Sequence, residues 1–232
     1  MNSFDVVIVA NGTFPTHPVS LAVLQGARHI VVCDGAIAQL AAHVQEDLQS
    51  PTPHLTIVGD GDSVPAEYRH LLIKVEEQED NDLTKATRYC LANYPTPNSQ
   101  HPALRIAYLG CTGAREDHTL GNISLLMRYY REMGVEGCMF TDNGFFTPAQ
   151  GNRTFSSFPG QQVSIFNFGC TQLTSEGLKW DSYAYREWWQ GTLNEAVGNS
   201  FTLYADSYYL VFQTYEKICV IRFNPLFPYE NE

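Results

Sequence analysis

The chain has 232 residues, 44% of them apolar and 17% charged. That is an ordinary globular composition, which rules out disorder for most of its length and leaves room for one large or two small domains. Its 14 basic against 25 acidic residues leave a net charge of −11, and a surface so short of Lys and Arg is ill suited to a nucleic-acid duplex or an anionic membrane.

Strands are predicted at Phe4–Ala10, His29–Cys33, Leu55–Val58, Leu71–Val75, Leu104–Leu109 and Gly137–Thr141. They are β-branched and apolar on both faces, as buried parallel strands are. Helical segments lie between them. Gly35–Val44 sets Ile37, Leu40, Ala41 and Val44 on one face, and Leu120, Ile123, Met127 and Tyr130 line a helix that ends near Met133-Gly134. The alternation predicts βαβ units and a doubly wound, mostly parallel, Rossmann-like sheet.

Composition then changes. Of 29 aromatic residues, 8 precede position 140 and 21 follow from there. The boundary falls in Asp142–Asn152, which carries two Gly and a Pro, so that residues 1–145 form the α/β domain and 146–232 an all-β sandwich. Short alternating strands are predicted at Gln162–Phe168, Phe201–Ala205, Tyr208–Gln213 and Ile218–Phe223, with tight turns at Asp206-Ser207 and Glu216-Lys217.

Six cysteines lie at least 21 residues apart, mostly inside apolar runs, and the seven histidines show no zinc spacing. Buried, reduced thiols are expected, in a cytoplasmic protein. No stretch approaches the ~18 apolar residues of a membrane span. The opening Met1-Asn2-Ser3-Phe4-Asp5 lacks the basic-then-apolar order of a signal peptide.

Ligands of open α/β sheets bind beyond the carboxyl ends of the strands, so the chemistry is sought in the loops there. After the first strand comes Asn11-Gly12-Thr13, and after the second Asp34-Gly35-Ala36. Small residues in such turns let backbone amides approach an anion, or simply turn the chain into a helix. After the third comes Gly59-Asp60-Gly61-Asp62-Ser63, where two carboxylates in a Gly-containing loop suit magnesium, a cation content with one or two carboxylates plus phosphate and water. After the fourth, Asp82 and Lys85 share a helix face and set a cation-seeking group beside a phosphate-seeking one. After the fifth, Gly110–His118 offers Thr112, Gly113, Arg115, Asp117 and His118, with Asn122 a turn further on. Arg115 and the helix start suit a polyphosphate; alternatively Asp117 caps the helix and Arg115 pairs with it. Were Asp60, Asp62 and Asp82 to converge at ~5 Å, each pair would repel by about 3 kcal/mol at an effective dielectric near 20. Convergence therefore demands a cation, raised pKa values or wider spacing.

The order of these motifs resembles the thiamine pyrophosphokinase family. Gly59–Ser63 is similar to its Gly-Asp-x-Asp-Ser loop, and Gln78–Lys85 to its Gln-x-x-Thr-Asp-x-x-Lys segment, with Asn81 in place of Thr. Gly113–Asn122 is similar to its Gly-Gly-Arg-x-Asp-His-x-x-x-Asn segment, with Ala114 in place of Gly. Gly177-Leu178-Lys179-Trp180 and Gly198-Asn199 resemble motifs of its second domain, Gly198 replacing Ser.

The resemblance implies an ATP-binding α/β domain followed by a β-sandwich, in a homodimer with active sites between subunits. It implies magnesium-dependent transfer of pyrophosphate from ATP to the hydroxyethyl group of thiamine, giving thiamine diphosphate and AMP. By motif position Asp60, Asp62 and Asp82 would hold magnesium. Asn11, Asp34, Gly35, Lys85, Thr112, Gly113, Arg115, Asp117, His118 and Asn122 would surround ATP. Gln78, Asn199 and the partner's Trp180 would contact thiamine. Asp62, Asp82 and Arg115 would carry catalysis by charge neutralisation and positioning. A related kinase or nucleotidyltransferase acting on another alcohol, and a non-catalytic nucleotide-binding module, are the alternative readings.

Overall fold

The computed structural model describes residues 4–44, 55–77, 79–94 and 103–216. The first half alternates as expected. Strands β1 (Val6–Val9), β2 (His29–Cys33), β3 (Leu55–Gly59), β4 (Leu72–Lys74), β5 (Arg105–Leu109) and β6 (Glu136–Phe140) alternate with helices α1 (Pro18–Gln25), α2 (Ala36–His43), α3 (Asp82–Asn93) and α4 (Glu116–Met133). The six strands lie in the order β4-β3-β2-β1-β5-β6, every neighbouring pair parallel. The chain runs outward from β1 to β4, then returns to β5 on the other side of β1, which opens a crevice at the carboxyl ends of β1 and β5.

Both faces of this sheet are buried, which is why its strands read as continuous apolar runs. Val6 and Ile8 of β1, with Ile106 and Tyr108 of β5, pack under α3 and α4 against Leu83, Cys90, Leu126 and Tyr129. Val7 and Val9, with Ala107 and Leu109, pack under α1 and α2 against Leu24, Ile37 and Leu40. Each fully buried aliphatic side chain contributes ~1.5–3 kcal/mol. Helix α4 stops where the sequence suggests, on a left-handed Gly134 with φ 65° whose N–H bonds Tyr129 O.

The second half contains β7 (Gly144–Gln150), β8 (Arg153–Ser156), β9 (Gln162–Asn167), β10 (Leu173–Glu176), β11 (Asn194–Glu195), β12 (Ser200–Ala205) and β13 (Tyr208–Thr214). Strands β10, β12 and β8 form a small antiparallel sheet that packs on the larger one around Phe155, Ile165, Phe201, Leu203 and Val211. This is the expected sandwich, with one difference. Its larger sheet is not separate: β7 folds back on β6 through Thr141–Gly144, pairing Met139 with Phe146 and Phe140 with Phe145. A single ten-stranded sheet, parallel at one end and antiparallel at the other, therefore runs through both halves. Most of the Gly- and Pro-bearing stretch Asp142–Asn152 is strand, because its backbone pairs with the whole of β13. Strands β8 and β10 were not anticipated either; both are four-residue segments with only one buried side chain. The Asp206-Ser207 turn joins β12 to β13 as expected. The strand expected at Ile218–Phe223, and Lys217 of the second expected turn, lie outside the described residues.

Among the described residues no helix is long and apolar enough to cross a membrane. The five described cysteines are free and buried, and burial raises each thiol above its ordinary pKa.

Candidate active site

A cleft of ≈ 290 Å³ opens beyond the carboxyl ends of β1, β2 and β5, at the lower end of the ~300–1,000 Å³ range of small-molecule sites. Three segments distant in sequence, Ala10–Gly12, Asn81–Leu83 and Cys111–Asn122, build it together with Cys33 at the end of β2. Six residues singled out from the sequence line it: Asn11, Asp82, Thr112, Arg115, His118 and Asn122. They come together because the crossover from β4 to β5 packs the start of α3 against α4, whose first turns reach the same cleft.

The start of α3 is firmly set. Asn81 is its N-cap, accepting from Thr84 N at 2.9 Å and from Thr84 Oγ1 at 2.8 Å, while Thr84 Oγ1 meets Tyr129 Oη of α4 at 2.7 Å. One residue on, Asp82 faces the cleft with its side chain about half exposed. Lys85 is on the same helix face, as its spacing predicted, but is almost wholly buried, and its Nζ lies 3.6 Å from Asp82 Oδ1. The Asp82 carboxyl is nevertheless held above its ordinary pKa. Burial is the largest cause; Lys85 opposes it, and the negative charges of Asp34 and Asp60 reinforce it.

On the other wall, Arg115 and Asp117 form an exposed two-pronged ion pair, and Asp117 also accepts the His118 N–H at 2.9 Å. The pairing of Arg115 with Asp117 is thus present, but Asp117 does not cap the helix: Arg115 is the N-cap residue and Asp117 lies inside the first turn, while Arg115 still lines the cleft. The guanidinium first, then the His118 amide, draws the Asp117 carboxyl below its usual pKa. Asn122 donates to Cys111 O at 2.8 Å and ties the loop to α4.

The acidic loop is arranged differently from expectation. Asp62 is exposed, Asp60 is half-buried, and the Asp62 N–H donates to Asp60 Oδ1 at 3.1 Å. Among the described residues no group of three or more His, Cys, Asp or Glu side chains is gathered closely enough to enclose a metal ion. Asp60, Asp62 and Asp82 are therefore no ready-made cage. Their mutual repulsion is kept low by spacing. The donor set is still that of a hard cation: carboxylate oxygens with no thiolate or imidazole among them. It suits magnesium, which completes its shell with water and phosphate. Lys74 of β4 lies within the field of Asp60 and Asp62, although Glu76, at 3.0 Å, is its main partner.

Other anticipated residues take different places. Asp34 and Gly35 do not line the cleft; Asp34 is buried, and both its carboxylate oxygens accept backbone N–H groups of the acidic loop. The amides of Gly12 and Thr13 do not point at a ligand, because they donate to Gly110 O and Thr112 O at 2.6 and 2.8 Å. Gly113 adjoins the cleft without lining it. Gln78 lies outside the described residues.

Trp180 and Asn199 are both exposed and neither lines the cleft of its own chain. Asn194, itself buried, holds the Trp180 backbone by donating to its carbonyl at 2.8 Å and accepting its N–H at 3.2 Å. The Lys179 ammonium lies 4.7 Å from the centre of the Trp180 ring. Trp188 packs edge-on against Phe166, whereas Trp189 is 73% exposed. Asn81 was missed as a wall of the cleft, although its N-cap position before Asp82-Leu83-Thr84 was a legible signal.

Two family models match the chain. The thiamin pyrophosphokinase catalytic domain matches residues 21–136, and the thiamin pyrophosphokinase substrate-binding domain matches residues 144–212. Solved structures share the fold. Thiamin pyrophosphokinase from Candida albicans superposes with a TM-score of 0.76 at 17% identity, over 91% of this chain and 89% of its own. The yeast enzyme gives 0.74 at 16% identity, over 92% and 87%, and that from Bacillus subtilis 0.70 at 18%, over 90% and 98%. No curated protein matches the sequence.

Proposed function

Because the chain belongs to the thiamin pyrophosphokinase family and is with it a thiamine diphosphokinase, we propose that its cleft takes ATP and that pyrophosphate passes from ATP to the thiamine hydroxyl, leaving AMP. One observation carries this reading: carboxylate, guanidinium, imidazole and amide side chains from three distant segments meet at the carboxyl ends of β1 and β5. Phosphoryl-type transfer asks for positioning and charge neutralisation more than covalent chemistry, and those side chains supply both.

Asp60, Asp62 and Asp82 would hold magnesium, which supplies charge neutralisation on the phosphate oxygens when bound. Arg115 trades Asp117 for phosphate oxygens, an exchange that is cheap because the pair is exposed and water already competes for it. Lys85 places a buried positive charge behind Asp82. Asn11, Thr112, His118 and Asn122 offer polar contacts to the rest of the nucleotide, and Asp117 and Gly113 shape the loop beside it.

Thiamine, a cation with an aromatic ring, suits the exposed face of Trp180, with Asn199 and Gln78 beside it. Trp180 and the cleft would then be brought together by a second copy of the chain. The exposed Trp180, Tyr183, Trp189, Leu193 and Val197 support such a homodimer. The buried thiols suit the reducing cytoplasm. The chain's acidity speaks against nucleic-acid and membrane partners.

Incubation with ATP, magnesium and thiamine tests the reading. One AMP is expected per thiamine diphosphate; ADP as the product, or turnover independent of thiamine, defeats it.

A further inference from the structure

Asp34 is unusual in three respects. It is 6% exposed, and its backbone is in the left-handed region at φ 32°, which a residue with a side chain adopts rarely. Both of its carboxylate oxygens are spent on one loop: Oδ1 accepts the Gly61 N–H and Oδ2 the Ser63 N–H, each at 3.0 Å. Its own N–H bonds Val58 O at the end of β3, directly before that loop. Space for it is made by the first residue of the acidic motif. A Cβ on Gly59 would fall 2.8 Å from Asp34 Cβ and 2.9 Å from Oδ1. The glycine there thus serves Asp34, and the amides on either side of Asp62 are fixed by Asp34.

We propose that Asp34 is a positioning residue of this enzyme, one that contacts no nucleotide and instead holds the Gly59–Ser63 loop so that Asp60 and Asp62 present their oxygens to the cation. The inference rests on the function proposed above and deepens it. A buried carboxylate bonded to two backbone N–H groups is a rigid anchor, since charge-assisted bonds are the strong ones. Residues that orient metal-binding groups typically change metal affinity by ~10–100-fold when replaced. Within the loop the Asp62 N–H bonds the Asp60 side chain, and the loop's start is held by the Val75 N–H on Gly59 O, so the two Asp34 bonds fix the stretch between Gly61 and Ser63.

Three variants test this: Asp34→Asn, which keeps the shape but opposes an amide NH₂ to a backbone N–H; Gly59→Ala, which leaves Asp34 in place but crowds it; and the two combined. The readouts are Mn²⁺ binding by electron paramagnetic resonance with ATP present, ATP binding in EDTA, and hydrogen exchange of the peptide spanning residues 59–64. Expected are a ~10–100-fold loss of Mn²⁺ affinity and faster exchange of the loop amides in each single variant. Metal-free ATP binding stays unchanged, the double variant is no worse than the poorer single one, and excess Mg²⁺ restores kcat. Should Asp34→Asn fail to fold, Gly59→Ala gives the same readings.

Wild-type Mn²⁺ affinity and loop exchange in the variants would overturn the proposal, as would an equal loss of ATP affinity with and without metal, which would make Asp34 a nucleotide contact. A wild-type protein that forms no thiamine-dependent AMP would defeat the proposed reaction, while Mn²⁺ affinity and loop exchange would still decide the role of Asp34.

Discussion

Arg115 and Asp117 grip each other with both prongs at the wall of the cleft, Nε to Oδ1 at 3.1 Å and Nη2 to Oδ2 at 2.6 Å. Both side chains are mostly exposed, so the pair adds little to stability and leaves the guanidinium available to a better anion. Arg115→Ala is expected to lower kcat/KM for ATP by about 100-fold and Arg115→Lys by about tenfold, because lysine keeps the charge and loses the fork. Thermal stability should hardly change in either. Steady-state kinetics with ATP varied decide the matter; a lysine variant as active as wild type would show that the two-pronged geometry is not used.

Asp62→Ala and Asp82→Ala are predicted to fold and to lose more than about 100-fold in turnover. Circular dichroism establishes the fold and AMP release the rate. Full activity in both variants would remove the acidic groups from the reaction.

The ionisation of Asp82 yields a prediction for stability. Its folded pKa is raised above the ordinary 3.8, so the folded chain binds that proton more tightly than the unfolded one. The stabilisation is complete below 3.8 and is lost as pH climbs through the folded value. Asp82→Asn should therefore melt higher than wild type at neutral pH without magnesium, the gap closing as pH falls below 4. Melting curves from about pH 3 to pH 7 test this. Parallel curves for the two proteins would mean that Asp82 is not held against its charge.

Trp180 is 52% exposed, so Trp180→Ala should leave the melting temperature nearly unchanged while raising KM for thiamine by about tenfold or more. An unchanged KM would place thiamine elsewhere.

Gly198 offers a gain. A Cβ there meets nothing nearer than Ser200 O at 4.0 Å, so Gly198→Ser is expected to fold normally and to lower KM for thiamine through its added hydroxyl. A rise in KM would count against a contact at this position.

The strands of the first half of the fold were legible to within a residue or two at their ends. Strands β1, β2, β3 and β5 are apolar on both faces because both faces are covered, and such runs stand out without knowledge of what covers them. The Asp82–Lys85 pair was equally readable, since helical spacing alone puts three-apart residues side by side. Strands β7, β8 and β10 were not. Their pairing partners lie far along the chain, Gly144 with Thr214 for one, and hydrogen bonds at that separation leave no periodic trace in a short, half-exposed segment.

The site divides the same way. Local sequence announced candidate residue types for the chemistry, the acidic loop and the basic and amide groups, whereas the exposure of Trp180 came from the fold. Tertiary structure decided what each does. It turned the Asp34 carboxylate inward onto Gly61 and Ser63, closed the Gly12 and Thr13 amides on the 110–112 turn, and buried Lys85 behind Asp82. The reason is physical. Residue type and spacing set what a side chain is able to bond, but competition among partners brought near by folding selects the bond that forms.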